Sequence, residues 1–425
     1  MGDSPTSVLP ESDCDSNLKE EDDDNSRMVI VHTLNLLLFF LRAKHVFNRA
    51  TDISPKDIDP PLINYGSPLP TDVTTNILSR INGRALLKLL PVCKEWWSLT
   101  KDAAFIDLHL SLAVKLIPPG IILFSYEENK GQKKCKFQVF NHLLKPQFSL
   151  ERESDPALVT PACNGLICIY DFKSSITICN PTTQKFMDLP RATPNSARLT
   201  NVYPKCSLGF DPIRKKYRVV RFFYRKVDHV NQNYNLGYEI FTLGAVWWKS
   251  IGSIGCYPTG PGVNAKGSIY WMIGDGAKDT LTDKIIALNL TNAKFRDVSL
   301  SATRSQLRDD KESISLAQLE ENLCVVYTRF FYSSTVDIWM LKDYLGKKWM
   351  HKCHITLPAW MGDLRSKIEP ISMYGGKVLL RWGWSLYEYD LRIGIITQKY
   401  TLPCNGHPLK AFSFVQSLVS LGNSS

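Results

Sequence analysis

The chain has 425 residues, with 44% hydrophobic, 11% aromatic and 22% charged residues, a composition that excludes extended disorder and fibrous repeats and leaves room for several domains. Its net charge of +10 is uneven: nine carboxylates against Lys19 give residues 1–25 a net −8, so the rest carries +18, in basic residues too scattered to read as a nucleic-acid footprint. Eleven cysteines lack the regular spacing of a disulfide framework, and Cys163, Cys168, Cys179 and Cys324 sit in apolar runs, which reads as reduced thiols in a cytoplasmic or nuclear protein.

Behind the acidic residues comes Met28–Leu41, MVIVHTLNLLLFFL. Its 14 residues fall short of the roughly 20 needed to span a bilayer, and the acidic stretch before it is unlike the basic start of a secretory signal. A helix packed on protein or an atypical extension is expected, not a membrane anchor. Pro55, Pro60, Pro61 and Pro68 then punctuate a linker, so residues 1–64 form a tail, an apolar segment and a linker.

Residues 65–112 read as a small all-α domain. Thr71 suits a helix cap, and Val73, Ile77, Leu78 and Ile81 recur at helical spacing before Asn82-Gly83 breaks the helix. Ala85, Leu86, Leu87, Leu89 and Leu90 mark a second helix, and Pro91 opens a third that carries Val92, Cys93, Trp96 and Trp97. So small a unit cannot bury that many large side chains by itself, and each stabilises by about 1.5–3 kcal/mol when buried. A partner surface is implied.

From about Gly120 the texture changes to short β-branched and aromatic runs between turn residues, and residues 113–425 read as an all-β repeat domain. Strand-like runs begin at Gly165, Tyr217, Gly267, Asn322 and Gly376, a period of about 50 residues that fits kelch-like propeller blades. Most are followed by a hairpin-like pair of runs. Trp247, Trp248, Trp271, Trp339, Trp349 and Trp382 fall at related places and are expected to pack between blades. Asn164-Gly165, Asn180-Pro181 and Gly209 with Asp211-Pro212 read as turns. The stretches Tyr224–Tyr234, Gly255–Val263 and Trp360–Ser366 read as surface loops suited to target recognition.

No catalytic constellation emerges. In His351-Lys352-Cys353-His354, strand alternation points His351 and Cys353 one way and His354 the other, so no metal site is expected. Residues 259–268, TGPGVNAKGS, lack the Gly-Lys-Ser/Thr ending of a phosphate cradle, so no nucleotide or other cofactor is expected. Asn289-Leu290-Thr291 matches a glycosylation acceptor, which matters only in a secreted chain.

The helical segment resembles the F-box family, through Leu69-Pro70, Ile77-Leu78-Ser79-Arg80, Leu86-Leu87 and Val92-Cys93-Lys94-Glu95-Trp96. It departs from that pattern at Asn82-Gly83 and at Pro91. The β part is similar to the F-box-associated domains of large plant families, through Cys163-Asn164-Gly165-Leu166-Ile167-Cys168, Asn180-Pro181-Thr182-Thr183 with Leu189-Pro190, and Leu208-Gly209-Phe210-Asp211-Pro212 with Tyr217-Arg218-Val219-Val220. The resemblance implies an α+β multidomain chain, a three-helix F-box followed by a propeller-like domain. It implies a non-catalytic receptor of a cullin-based ubiquitin ligase, which needs no cofactor. Leu69, Pro70, Ile77, Leu78, Ile81, Leu86, Leu87, Val92, Cys93, Lys94, Trp96 and Trp97 would meet a Skp-type adaptor that bridges to the cullin scaffold, and the β domain would bind an unknown protein substrate. A carbohydrate-binding or enzymatic kelch-like propeller is the alternative, since fold does not fix function.

Overall fold

The structure is a computed structural model that describes residues 69–422 other than 130, 156, 172–173, 195–204, 229–232, 275–280, 301–311, 330–333, 345–347, 359–360, 362–367 and 403–409. The expected acidic tail, apolar segment and linker lie outside the described residues, as does most of the stretch Trp360–Ser366. The chain divides into two compact units between Phe105 and Ile106. The first contains the helices α1 Thr71–Leu78, α2 Gly83–Leu89 and α3 Lys94–Leu99, with a 3-10 turn at Leu90–Val92. A fourth helix, α4 Ala103–Leu116, spans the division.

The second unit holds six four-stranded antiparallel sheets. Blade 1 joins β1 Gly120–Asn129, β2 Gln132–Phe140 and β3 Pro146–Glu153 to β24 Lys410–Phe414 from the far end of the chain. Blade 2 is β4 Ala157–Val159, β5 Ile167–Asp171, β6 Ile176–Asn180 and β7 Lys185–Asp188. Blade 3 is β8 Lys205–Asp211, β9 Lys216–Asp228, β10 Asn233–Thr242 and β11 Lys249–Ile254. Blade 4 is β12 Tyr257–Ala265, β13 Ser268–Gly274, β14 Leu281–Asn289 and β15 Phe295–Ser299. Blade 5 is β16 Glu312–Leu319, β17 Asn322–Arg329, β18 Thr335–Asp343 and β19 Lys348–Thr356. Blade 6 is β20 Ile368–Tyr374, β21 Lys377–Trp382, β22 Ser385–Asp390 and β23 Ile395–Thr401.

Alternation along a strand sends successive side chains to opposite faces, and here both faces are apolar. In β17, Val325 and Tyr327 join a cluster with Tyr270 and Ile285 of blade 4, while Cys324 and Val326 join one with Val378 and Leu380 of blade 6. Every blade shares such a cluster with each of its two neighbours. The five expected repeat starts all fall at the second strand of a blade, β5, β9, β13, β17 and β21. Two consecutive left-handed residues turn the chain into four of these strands: Asn164-Gly165, Lys266-Gly267, Glu320-Glu321 and Gly375-Gly376, the backbone that a two-residue hairpin of this twist requires.

The ring is closed by the C-terminus. β24 pairs antiparallel with β1, from Gly120 opposite Phe414 to Phe124 opposite Lys410. The following residues are clamped to blade 2: the buried Asn180 amide donates to the carbonyls of Ser417 (3.1 Å) and Val419 (2.9 Å). The same side chain accepts from the Thr182 N–H at 3.0 Å, and the Thr182 hydroxyl accepts from the Ser417 N–H at 3.2 Å. Gly165 combines a φ of +79° with a position where a Cβ would lie 2.4 Å from the Ser417 Cβ. Asn164-Gly165 and Asn180 are therefore turn residues, as expected, and in addition the seat of the C-terminal segment.

Two expectations need correction. Gly209 is not in a turn but inside β8, where a Cβ would lie within 3 Å of Leu290 and Ile269 side-chain atoms, so its small size serves the approach of blade 4. The turn is carried by Asp211, whose carboxylate accepts from the N–H groups of Ile213 (3.1 Å) and Arg214 (3.2 Å). Trp248, Trp271, Trp339, Trp349 and Trp382 do join inter-blade contacts, and the Trp271 indole N–H reaches across to the Ser207 hydroxyl at 2.9 Å. Trp247, at the β10–β11 turn, stays 74% exposed.

A buried ion pair between β9 and β10 of blade 3 also reaches across to blade 2. Arg221 and Glu239, 0% and 1% exposed, meet at 2.6 Å. The guanidinium also donates to the Thr193 carbonyl (2.7 Å) and the Ser174 hydroxyl (2.9 Å). Arg221→Met leaves the Glu239 charge buried without its counter-charge, with only the Thr193 N–H (3.2 Å) and hydroxyl (2.6 Å) donating to it, which is expected to cost about 3–5 kcal/mol in urea unfolding, with much of that loss recovered in Arg221→Met/Glu239→Leu. Glu320 and Glu321 hold left-handed backbone (φ 47° and 61°) without glycine. Glu321→Gly is expected to raise stability by up to about 1 kcal/mol in the same assay.

Candidate functional site

The helical unit carries the residues that sequence reasoning assigns to docking. α1 starts directly after Pro70 with no side-chain cap. Thr71 is thus its first helical residue and not the expected cap; Asp72 in the first turn complements the positive helix end instead. Residues four apart share a helix face, and α1 has two such pairs. Thr74 and Leu78 are buried, whereas Val73 and Ile77 remain 40% and 38% exposed. Ile81, half-buried, follows in the turn after α1.

Asn82-Gly83, the departure from the family pattern, is a helix start. The Asn82 side chain caps α2 by accepting the Ala85 N–H at 2.8 Å. α2 buries Leu86 and Leu87, and the 3-10 turn, entered through Pro91, buries Leu90 and Val92. Cys93 is also buried, and burial pushes its thiol up to about 11, so it stays protonated at neutral pH. In α3 Trp96 is buried and Trp97 half-buried, its ring faced by the Lys101 ammonium 3.3 Å from the centroid. Asp102 ends the segment by accepting the Phe105 N–H at 2.9 Å.

The twelve expected docking residues therefore separate. Leu78, Leu86, Leu87, Val92, Cys93 and Trp96 are interior, because short helices need most of their large side chains to hold themselves together. Pro70, Ile77 and Lys94 are exposed, and Leu69, Ile81 and Trp97 are half-buried. Val73 joins this surface set. Its spacing four residues before Ile77 is the signal in the sequence that marks it.

Within the propeller unit, Ile106 and Leu110 of α4 pack on the cluster shared by blades 2 and 3, and Asp107 pairs with Lys215 at 2.6 Å. Lys215 lies in the β8–β9 turn, at the opposite end of β8 from Lys205. Most of the expected loop Gly255–Val263 is strand: residues from Tyr257 onward form β12, and Gly260, Pro261 and Val263 line a central cavity of about 430 Å³. Residues 259–268 thus run along an innermost strand into a hairpin, not to a helix start that could hold phosphate.

The expected alternation of His351 and His354 is overturned. The β18–β19 register slips between Ile338 opposite Cys353 and Trp339 opposite His351, so Lys352 is an extra residue. Both imidazoles consequently reach the same oxygen of Asp337, at 3.1 and 2.9 Å. Among the described residues no group of three or more His, Cys, Asp and Glu is placed to hold a metal ion. The nine described cysteines are free, and no described helix is long and apolar enough to cross a membrane.

Residues 120–373 match the F-box associated β-propeller domain. Similar proteins of Arabidopsis thaliana include one carrying an F-box/kelch-repeat name, 26% identical over 64% of this chain and 71% of its own length. The F-box protein CPR1 is 23% identical over 65% of this chain and 70% of its own. A further F-box protein is 22% identical over 78% of this chain and 76% of its own, a share longer than the propeller, so that match reaches back into the helices.

The division between interior and surface residues is open to measurement. Leu86→Ala is expected to lose about 2–5 kcal/mol of local stability, read by hydrogen exchange of α2 and α3. Ile77→Ala should change it by no more than about 0.5 kcal/mol.

Proposed function

From the premise that the chain belongs to the F-box-associated β-propeller family, we propose that it is the substrate-recognition subunit of a cullin-based, SCF-type ubiquitin ligase. The observation that carries this reading is the apolar surface left on a very small helical unit: Val73 and Ile77 on one face of α1, with Leu69, Pro70, Ile81 and Trp97 also at the surface. A lone exposed leucine needs no explanation, but a row of large aliphatic side chains at helical spacing is the pattern of a helix laid against a partner. The partner is a Skp-type adaptor, and through it a cullin scaffold. Rigid Trp97 is an anchor at the rim of that contact.

The propeller binds the protein target. The receptor supplies no reacting group of its own; it raises the local concentration of a target lysine near a ubiquitin-charged enzyme, which is catalysis by proximity. Free cysteines, eight of the nine described being buried, support a reducing compartment, cytoplasm or nucleus.

The test is co-purification of the full chain with a Skp-type adaptor. Wild type is expected to form a one-to-one complex, and Val73→Asp/Ile77→Asp, which puts two charges on the exposed row, to lower its affinity about a hundredfold while leaving the unfolding curve unchanged. A chain that elutes alone beside excess adaptor, or a double variant that binds like wild type, overturns the reading.

A further inference from the structure

The three most exposed large hydrophobic side chains among the described residues stand on one blade. Ile213 is 77% exposed in the β8–β9 turn, and Val246 and Trp247 are each 74% exposed in the β10–β11 turn. Blade 3 is a meander of antiparallel strands, so these two turns leave it at the same end, the end that α4 reaches through Asp107 and Lys215. They lie two strand spacings apart, about 10 Å. Each turn is pinned by hydrogen bonds. The Asp211 carboxylate accepts from the Ile213 and Arg214 N–H groups. In the outer turn the Ala245 N–H donates to the Thr242 carbonyl at 2.8 Å, and the Trp248 indole donates to the Pro190 carbonyl at 2.9 Å. Of two consecutive tryptophans, one is therefore tied into the fold and the other is turned out. Exposed apolar clusters of this kind mark contact surfaces for a protein or a membrane.

Charge and shape choose between the two. Arg214, Lys215 and Lys216 follow Ile213, Lys249 follows the tryptophan pair, and Lys266 and Lys294 occupy the two blade 4 turns at the same end. Against these six basic side chains, α4 and the same turns hold two carboxylates: Asp211, which is buried, and Asp107, which is paired with Lys215. Lys216, Lys249, Lys266 and Lys294 are exposed and, among the described residues, make no ion pair. The surface therefore suits an anionic partner. It is also convex. The apolar groups crown two turns, so the partner must supply the enclosure, and a bilayer closes around any tip that enters it. Tryptophan at headgroup depth, flanked by Lys and Arg, is the combination by which peripheral surfaces hold anionic lipid.

We propose that this end of blade 3 is a membrane-contact surface: Trp247, Val246 and Ile213 enter the headgroup region of a bilayer rich in anionic lipid, and Lys216, Lys249, Lys266 and Lys294 meet the lipid phosphates and carboxylates. Contact of this kind is peripheral and reversible, needs no spanning helix, and weakens as salt screens it. It holds the propeller at an anionic leaflet and concentrates it beside any target lying on the same leaflet.

The test is flotation of the purified full chain with vesicles of phosphatidylcholine alone or of an equal mixture with phosphatidylserine. Wild type is expected to float with the mixed vesicles and to stay behind with the neutral ones. Trp247→Ser/Val246→Ser leaves the net charge unchanged and should lower affinity for the mixed vesicles about tenfold. Lys216→Gln/Lys249→Gln should lower it about thirtyfold. All four positions are exposed, so the unfolding midpoint is expected to hold in both variants. Absence of wild-type flotation overturns the proposal. So does equal flotation of Trp247→Ser/Val246→Ser, which assigns the binding to overall positive charge or to the apolar run Met28–Leu41. Capture of soluble poly-glutamate through Trp247, without vesicle binding, makes the surface a protein-docking face and overturns it likewise. Neither adaptor nor target enters the assay, so failure here leaves the receptor reading intact.

Discussion

Everything in the propeller depends on closing a ring of sheets whose two faces are both apolar. A blade such as β16–β19 gives Val325 and Tyr327 to one neighbour and Cys324 and Val326 to the other. Removing one blade would expose two apolar faces. Closure falls to the pairing of β24 with β1 and to Asn180, which holds the last residues by two hydrogen bonds from a buried amide. Buried amides of this kind are costly to leave unpaired, so the clamp is specific as well as stabilising. The family-like segments around Asn164-Gly165 and Asn180 thus act on the chain itself, as the seat of its own terminus.

How much of this could be read from the sequence follows from what each signal measures. Second strands are buried on both faces, so they appear as unbroken runs such as Leu323–Tyr327, and five of six blades announced themselves at a period near 50 residues. The sixth did not, because its strands come from both ends of the chain and no repeat unit exists in the sequence. Innermost strands were also hidden. Pro258, Pro261 and Gly260 make β12 look like a loop, although edge strands accept proline. The histidines of β19 were misplaced for another reason, since a bulge shifts the period of two that alternation assumes.

The helical unit was legible in its helices and less so in its faces. Spacing of three and four finds one apolar stripe, but α1 has a buried pair, Thr74 and Leu78, and an exposed pair, Val73 and Ile77, offset by one residue. Composition alone cannot tell which leucines a small unit keeps for itself. The surface that remains on the helical unit is aliphatic.

The split first blade also sets a schedule for synthesis. Residues 120–153 leave the ribosome early, yet their sheet lacks its innermost member until residue 414 has been made. At about 5–20 residues per second, the intervening stretch takes roughly fifteen seconds to a minute. Throughout that interval β1 offers an open edge, the kind of strand that pairs with foreign chains. The nascent chain is therefore a natural client for chaperones, and a stop before residue 410 would release an unsealed, aggregation-prone propeller.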